Sequence, residues 1–199
     1  MNRTRLAPAS RREQLLGIGA QLFAERPYDD VSIDEIASLA GVSRGLMYRY
    51  FATKRELFRE VVRAGDEQIL ALTEPDPSLP LPQRVAAGVD AYLRLVEANA
   101  PLVRAATAGA ASADEEVRAI IADGVRRQED RILGQLQGEG LSVTPRLRVT
   151  VRGWVLMTRA LTLDWLETRE VPRDELRRIV TETLLALAAR AAAGEAGTG

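Results

Sequence analysis

The sequence predicts an all-α chain of about nine helices: an N-terminal three-helix head of the helix-turn-helix type, followed by a C-terminal helical bundle. Three observations carry this expectation. Apolar residues recur at helical spacing in nearly every segment, capping signals stand where those segments begin, and no run alternates with the two-residue period of a strand. With 199 residues and 46% hydrophobic content, the chain can bury a substantial core as one large or two small domains.

Taken in order, Ser10-Arg-Arg-Glu13 is a capping box expected to open the first helix. That helix carries Leu15, Leu16, Ala20, Leu22 and Phe23 and stops ahead of Pro27. Ser32 with Glu35 forms a second box, and Val31 before it can staple onto Ile36. Ile33, Ile36, Ala37 and Ala40 share one face of this helix. Gly41 can end it in the left-handed conformation, and Ser43 can cap the next helix, about Arg44–Tyr50, so only a few residues remain for the turn. Val42 is placed to staple onto Met47. Thr53 and Glu56 make a further capping box. The helix it opens runs through Leu57, Phe58, Val61, Val62 and Ile69 to about residue 72, where four prolines in eight residues break it.

Beyond the prolines, Val85, Val89, Tyr92, Leu93 and Val96 mark a helix over 83–99, followed by a short segment over 102–108. Ser112 with Glu115 resembles a capping box for the next helix, which carries Val117, Ile120, Ile121, Val125, Ile132, Leu133 and Leu136 and frays at Gly138. Thr144-Pro145 is an N-cap followed by proline at the first helical position; the helix it starts reaches about residue 169 with Leu147, Val151, Trp154, Val155, Leu161, Trp165 and Leu166. A last helix over 173–193 carries Leu176, Ile179, Val180, Leu184 and Leu187, and residues 194–199 are expected to be disordered.

Composition narrows the function classes. The chain has no cysteine and no histidine, which excludes disulfides, thiolate metal sites and Cys/His or Ser/His catalysis. It also lacks a Gly-rich phosphate loop, a nucleophile elbow and any paired metal-ligand spacing, so neither a cofactor nor an enzyme is expected. No apolar stretch reaches membrane-spanning length, and the N-terminus lacks the apolar centre of a signal peptide; the expected location is the cytoplasm, with no membrane partner.

The net charge of −1 is unevenly distributed: residues 1–60 hold ten Arg/Lys against eight Asp/Glu. Arg3, Arg5, Arg11 and Arg12 precede any acid, and read either as a flexible basic arm for phosphates or a minor groove, or as a solvated terminus. Between Ser43 and Arg55 every charge is positive, Arg44, Arg49, Lys54 and Arg55, with Tyr48, Tyr50 and Thr53 interleaved. The second helix of a helix-turn-helix lies in the DNA major groove, which suits such a helix. Gly45 weakens a helix by about 1 kcal/mol against alanine, which suggests that something must approach its backbone closely.

Phe23-Ala-Glu-Arg with Tyr28, Ser32-Ile-Asp-Glu-Ile-Ala, Ala40-Gly-Val-Ser, Met47-Tyr-Arg-Tyr-Phe and Thr53-Lys-Arg-Glu-Leu together resemble the DNA-binding head of the TetR family of transcriptional regulators. The resemblance covers residues 10–60 without a gap; the rest of the chain is similar only in length and helical pattern. It implies a DNA-binding domain over 1–56 and a ligand-binding and dimerisation domain over 57–199. In that family the positions of Tyr48, Thr53 and Lys54 grip phosphates, while those of Arg44, Gly45, Leu46, Arg49 and Tyr50 face bases or flanking backbone, with Ser32 and Ser43 at the helix starts. Leu46 departs from the small or polar residue often found there, and either meets a thymine methyl or completes the core of the head.

For the body the resemblance implies a pocket for a small-molecule effector, apolar or amphipathic, with Tyr92, Arg104, Thr107, Trp154, Thr158 and Asp164 as candidate lining. It also implies a homodimer built on the last two long helices, with Val151, Trp154, Leu161, Trp165, Leu176, Val180 and Leu184 as candidate interface. The expected function is a repressor that binds a palindromic operator in double-stranded DNA and is released by its effector. The competing reading is a helical small-molecule-binding protein or enzyme whose head is only a packing module.

Overall fold

The computed structural model describes residues 7–107 and 113–196, with the backbone alone for 192–196. Among the described residues there are nine α-helices and no strand. They are α1 (Pro8–Glu25), α2 (Ile33–Leu39), α3 (Arg44–Tyr50), α4 (Lys54–Leu72), α5 (Leu81–Ala98), α6 (Ala100–Thr107), α7 (Glu115–Gly138), α8 (Pro145–Thr168) and α9 (Arg173–Ala196), with a 3-10 turn at Tyr28–Asp30 between α1 and α2. No described helix is long and apolar enough to cross a membrane.

The chain forms two compact units. The first comprises the described parts of Met1–Asp66 and Ala98–Ile120, the second Glu67–Glu97 and the described part of Ile121–Gly199. The head unit is therefore larger than the expected residues 1–56, and the division falls inside α4. Long-range packing that leaves no mark on local periodicity explains the difference: α6 lies against α1 and the 3-10 turn, and Asp114, just ahead of α7, is bound by arginines of α4.

Within the first unit, Leu15, Phe23, Ile36, Met47, Phe51, Leu57, Phe58 and Val61 are almost wholly buried. Phe23, Tyr28 and Phe58 form an aromatic cluster, Phe23 stacked on Tyr28 at 5.8 Å and Phe58 edge-on to both at 5.0 and 4.9 Å. Gly19 brings α1 close to α4, since a Cβ there would lie 3.1 Å from a methyl of Leu57.

Several helix starts differ from expectation. Helix α1 begins at Pro8, with no side-chain cap, rather than at Ser10. Proline presets the helical φ and lacks the donor that the first position cannot use, so the helix starts earlier and Ser10 falls inside its first turn. Arg11 and Arg12 consequently belong to α1; Arg12 pairs with Glu60 at 2.8 Å and lies over the Phe51 ring, so it is no part of a free arm. Arg3 and Arg5 lie outside the described residues, as does Ser112. The cap of α7 is Asp114, whose Oδ1 accepts from the backbone N–H of Glu116 at 2.9 Å and of Val117 at 3.2 Å. Helix α9 continues past the expected end at 193 through Gly194 and Glu195 to Ala196; residues 197–199 are outside the described set.

In the second unit α8 and α9 form a packed pair. The Trp154 indole donates to the Val180 carbonyl at 2.9 Å and the Trp165 indole to the Val171 carbonyl at 2.7 Å. Arg131 of α7 donates to the Leu70 carbonyl and the Thr73 hydroxyl at the end of α4, and to Gln128 at 2.8 Å. Glu129, nearly buried, accepts two hydrogen bonds from Arg152 of α8.

Asp114 is a heavily engaged carboxylate of the head unit. Its side chain is 2% exposed, and Arg59 approaches it at 2.8 Å and Arg55 at 3.3 Å. Arg59 holds the carboxyl below its ordinary value, against the opposing effect of burial. Because the folded value is depressed, this stabilisation is present above the unfolded carboxylate value and fades as pH falls through the folded one. Asp114→Asn is expected to cost about 2 kcal/mol at neutral pH. The gap in Tm to the unmutated protein should narrow in strong acid; a gap independent of pH in thermal melts would contradict the assignment.

Candidate nucleic-acid interface

Helix α2 is capped by Ser32, whose hydroxyl accepts from the Glu35 N–H at 3.1 Å. The reciprocal half of the box is absent, because the Glu35 carboxylate takes Arg26 at 2.8 Å instead. At the other end Gly41 sits at φ 63°, the Val42 N–H bonds back to the Ala37 carbonyl at 2.9 Å, and the Gly41 N–H bonds to the Ser38 carbonyl at 3.0 Å. This paired arrangement satisfies carbonyls that the helix end leaves open, and it turns the chain sharply. Ser43 then caps α3, accepting from the Leu46 N–H at 3.2 Å. Met47 and Phe51, both fully buried, fix α3 to the core.

With Met47 inward, α3 turns Arg44, Gly45, Tyr48 and Arg49 to solvent, and leaves Leu46 and Tyr50 half-buried. Leu46 thus keeps both the roles expected of it. The guanidinium of Arg44 bonds Asp34 of α2 at 3.1 Å and lies 5.6 Å from the Tyr48 ring centre. Arg49 has no ion-pair partner among the described residues. A Cβ on Gly45 would meet nothing within 4 Å, so the protein's own packing does not require glycine there.

The start of α4 borders this surface. The Thr53 hydroxyl accepts from the Glu56 N–H at 3.0 Å, and Glu56 in turn accepts from the Ala52 N–H at 2.7 Å. The next two cations are engaged within the protein. Lys54 donates to the carbonyls of Tyr28 and Val31, each at 2.9 Å, and of Asp29 at 3.4 Å. Arg55 pairs with Asp114; burial pushes the Tyr28 phenol up, and the charge of Arg55 opposes the shift. Tyr28, Asp34 and Asp114 thus shape the site although sequence reasoning did not assign them to it. Tyr28 was visible as a motif residue, whereas nothing in the local pattern relates Asp114 to a helix start some sixty residues away.

The residues expected in an effector pocket are divided between the units. Arg104 and Thr107 belong to α6 in the first unit, and the Thr107 hydroxyl bonds the Val103 carbonyl at 2.6 Å. Tyr92, Trp154, Thr158 and Asp164 belong to the second. There Trp154 and Thr158 are buried with their polar atoms bound to backbone, and Asp164 is exposed. Burial pushes the Tyr92 phenol up; Arg159, and Thr162 through a hydrogen bond, oppose the shift. Neither was singled out from the sequence, although Thr158 and Thr162 stand one turn apart on α8.

The residues expected at a dimer interface face inward. Val151, Trp154, Trp165, Leu176, Val180 and Leu184 are all buried within the chain, and only Leu161 is partly exposed. Among the described residues, the large apolar side chains that remain uncovered on these helices are Val149, Leu156 and Ile179, exposed by 70%, 51% and 40%. Periodicity marked an apolar face correctly but could not say that α8 and α9 bury that face against each other.

The comparisons agree with this geometry. The family model described as bacterial regulatory proteins, tetR family, matches residues 15–61, and that for a tetracyclin repressor-like C-terminal domain matches residues 81–187. The chain is 34% identical over 100 residues to the HTH-type transcriptional activator FasR of Mycolicibacterium smegmatis, covering 47% of this chain and 43% of the relative. It is 31% identical over 99 residues to the HTH-type transcriptional repressor BepR of Brucella suis, covering 46% and 47%. The chain thus spans less than half the length of these curated relatives. Among solved structures, a tetR-family transcriptional regulator from Streptomyces coelicolor superposes with a TM-score of 0.85 at 30% identity, over 94% of this chain and 84% of that one. The fatty acid degradation regulator FadR from Bacillus halodurans shares the fold, with a TM-score of 0.70 at 14% identity over 92% and 97%. With both parts of the chain matched, and a relative of known structure aligned over most of its length, the chain belongs to the TetR family of bacterial transcriptional regulators.

Proposed function

We propose that the protein is a dimeric repressor that reads a palindromic operator with α3 and releases it when a small molecule binds the body. The observation that carries the DNA reading is the outward face of α3, where Arg49 is left without an ion pair beside an uncovered Gly45. In a gel-shift titration, DNA flanking the protein's own coding region should bind saturably and be displaced by unlabelled copies of itself at far lower concentration than by random DNA of equal length; equal displacement by both would overturn the reading. Lower reporter expression from that DNA in the protein's presence distinguishes repressor from activator, both of which occur among the named relatives.

Gly45 offers a separable check. Alanine there relieves the helix of a poor former, a gain of about 1 kcal/mol, yet puts a methyl group where DNA would approach. Gly45→Ala should raise Tm slightly and lower operator affinity by about tenfold. Unchanged affinity would remove the close approach.

For the dimer, the uncovered Val149, Leu156 and Ile179 replace the inward-facing residues as the proposed contact surface. One reader helix per chain needs a second copy to reach two half-sites about 34–36 Å apart. Leu156→Glu should shift the protein to monomer in sedimentation and weaken operator binding by more than about a hundredfold, leaving helix content intact. A dimer unaffected by this change would place the interface elsewhere.

Effector release requires coupling: a hundredfold loss of operator affinity corresponds to about 2.7 kcal/mol. Helix α4, with one end in each unit, is the proposed carrier. Trp154 and Trp165 both lie on α8, so an apolar or amphipathic effector should change tryptophan emission and operator affinity with matching midpoints. An emission change that saturates while DNA binding stays constant would uncouple the two.

A further inference from the structure

Lys54 is the only lysine of a chain that otherwise carries arginine for its positive charge. Its ammonium lies where three backbone carbonyls converge, those of Tyr28 and Val31 at 2.9 Å and of Asp29 at 3.4 Å, and 4.3 Å from the centre of the Tyr28 ring. An ammonium has three donors and no more, so these partners use its full hydrogen-bonding capacity. The arrangement suits lysine and not arginine: a point charge with rotatable, tetrahedrally disposed donors fits three carbonyls, whereas a planar guanidinium fork does not. The carbonyls come from the first two residues of the 3-10 turn and from the residue after it; the Tyr28 carbonyl also accepts the turn's own bond from the Val31 N–H at 3.4 Å.

The position of the two ends gives this contact a consequence. Val31 immediately precedes Ser32, the cap of α2, and Lys54 is the first residue of α4. The bond from Lys54 to the Val31 carbonyl therefore closes a loop whose interior is the helix-turn-helix itself. The Tyr28 ring beneath the ammonium is held in turn by Phe23 and Phe58 of the core. We propose that Lys54 is a positioning residue that clasps the two ends of the helix-turn-helix and sets the angle of α3, in place of the phosphate contact that the family resemblance implies for its position. This rests on the reading of α3 as the DNA-reading helix.

The two roles separate in measurement. A phosphate ligand contributes to every sequence equally: its loss lowers the slope of log affinity against log salt by about 0.9, and arginine can replace it. A clasp acts through the orientation of α3: its loss lowers the ratio of operator to random-DNA affinity, leaves the salt slope unchanged, and arginine does not restore it. Lys54→Met and Lys54→Arg are each expected to lower that ratio by about tenfold at unchanged slope, measured below their melting temperatures. A reduced slope with an intact ratio in Lys54→Met, rescued in Lys54→Arg, would overturn the proposal in favour of the phosphate contact. A lower Tm with slope and ratio both intact would overturn it in favour of a purely structural role.

If neither variant folds, the unmutated protein still decides. Labelled with 15N-lysine, it contains one side-chain ammonium, and in the free protein that group should give a resolved signal protected from solvent exchange at room temperature. A signal lost to exchange would overturn the clasp. The same measurement distinguishes failure of the clasp from failure of the regulator reading, which would appear instead as the absence of sequence-dependent DNA binding by the unmutated protein.

Discussion

Helices α2 and α3 have seven residues each, too short to persist in water on their own. Their order is borrowed from the burial of Ile36, Met47 and Phe51, and the rest of the head serves that burial. Helix α1 comes near enough to seal the core because Gly19 admits Leu57, and α4 supplies Leu57 and Phe58 beneath the aromatic cluster. Surface that DNA could meet is therefore whatever the core has no use for: when Met47 turns in, Arg44, Tyr48 and Arg49 turn out.

Local chemistry was well represented in the sequence. Ser32, Ser43, Thr53 and Thr144 each accept the N–H three residues on, as their positions indicated, and Gly41 adopts the left-handed conformation that the end of α2 requires. These features are legible because donor and acceptor are three or four residues apart, and one residue type suffices to announce them. The rest depends on partners distant in the chain. Asp114 reads as one acid among several, and only folding brings it to Arg55 and Arg59. Trp154 and Val180 belong equally well to an outward or an inward face until the pairing of α8 with α9 is known.

The same limit applies to charge. Four cations between residues 44 and 55 suggested an uninterrupted positive surface, yet a cation's availability is a property of its neighbours. Asp34 and Asp114 claim Arg44 and Arg55, the carbonyls around the 3-10 turn claim Lys54, and Arg49 has no ion pair among the described residues. The outward surface of α3 and the start of α4 is thus more sparing in free charge than its sequence.

The turn between α2 and α3 has a bearing on how such a surface can change over generations. Its backbone bonds, Val42 to Ala37 and Gly41 to Ser38, leave no slack loop in which an extra residue could be absorbed. One residue inserted in the turn would break these bonds, and one inserted within α3 ahead of Met47 would rotate the helix by about 100° and carry Met47 out of the core. A change of side chain on the outward face of α3, which leaves this turn and the buried Met47 in place, is therefore the alteration the head accommodates with least disturbance.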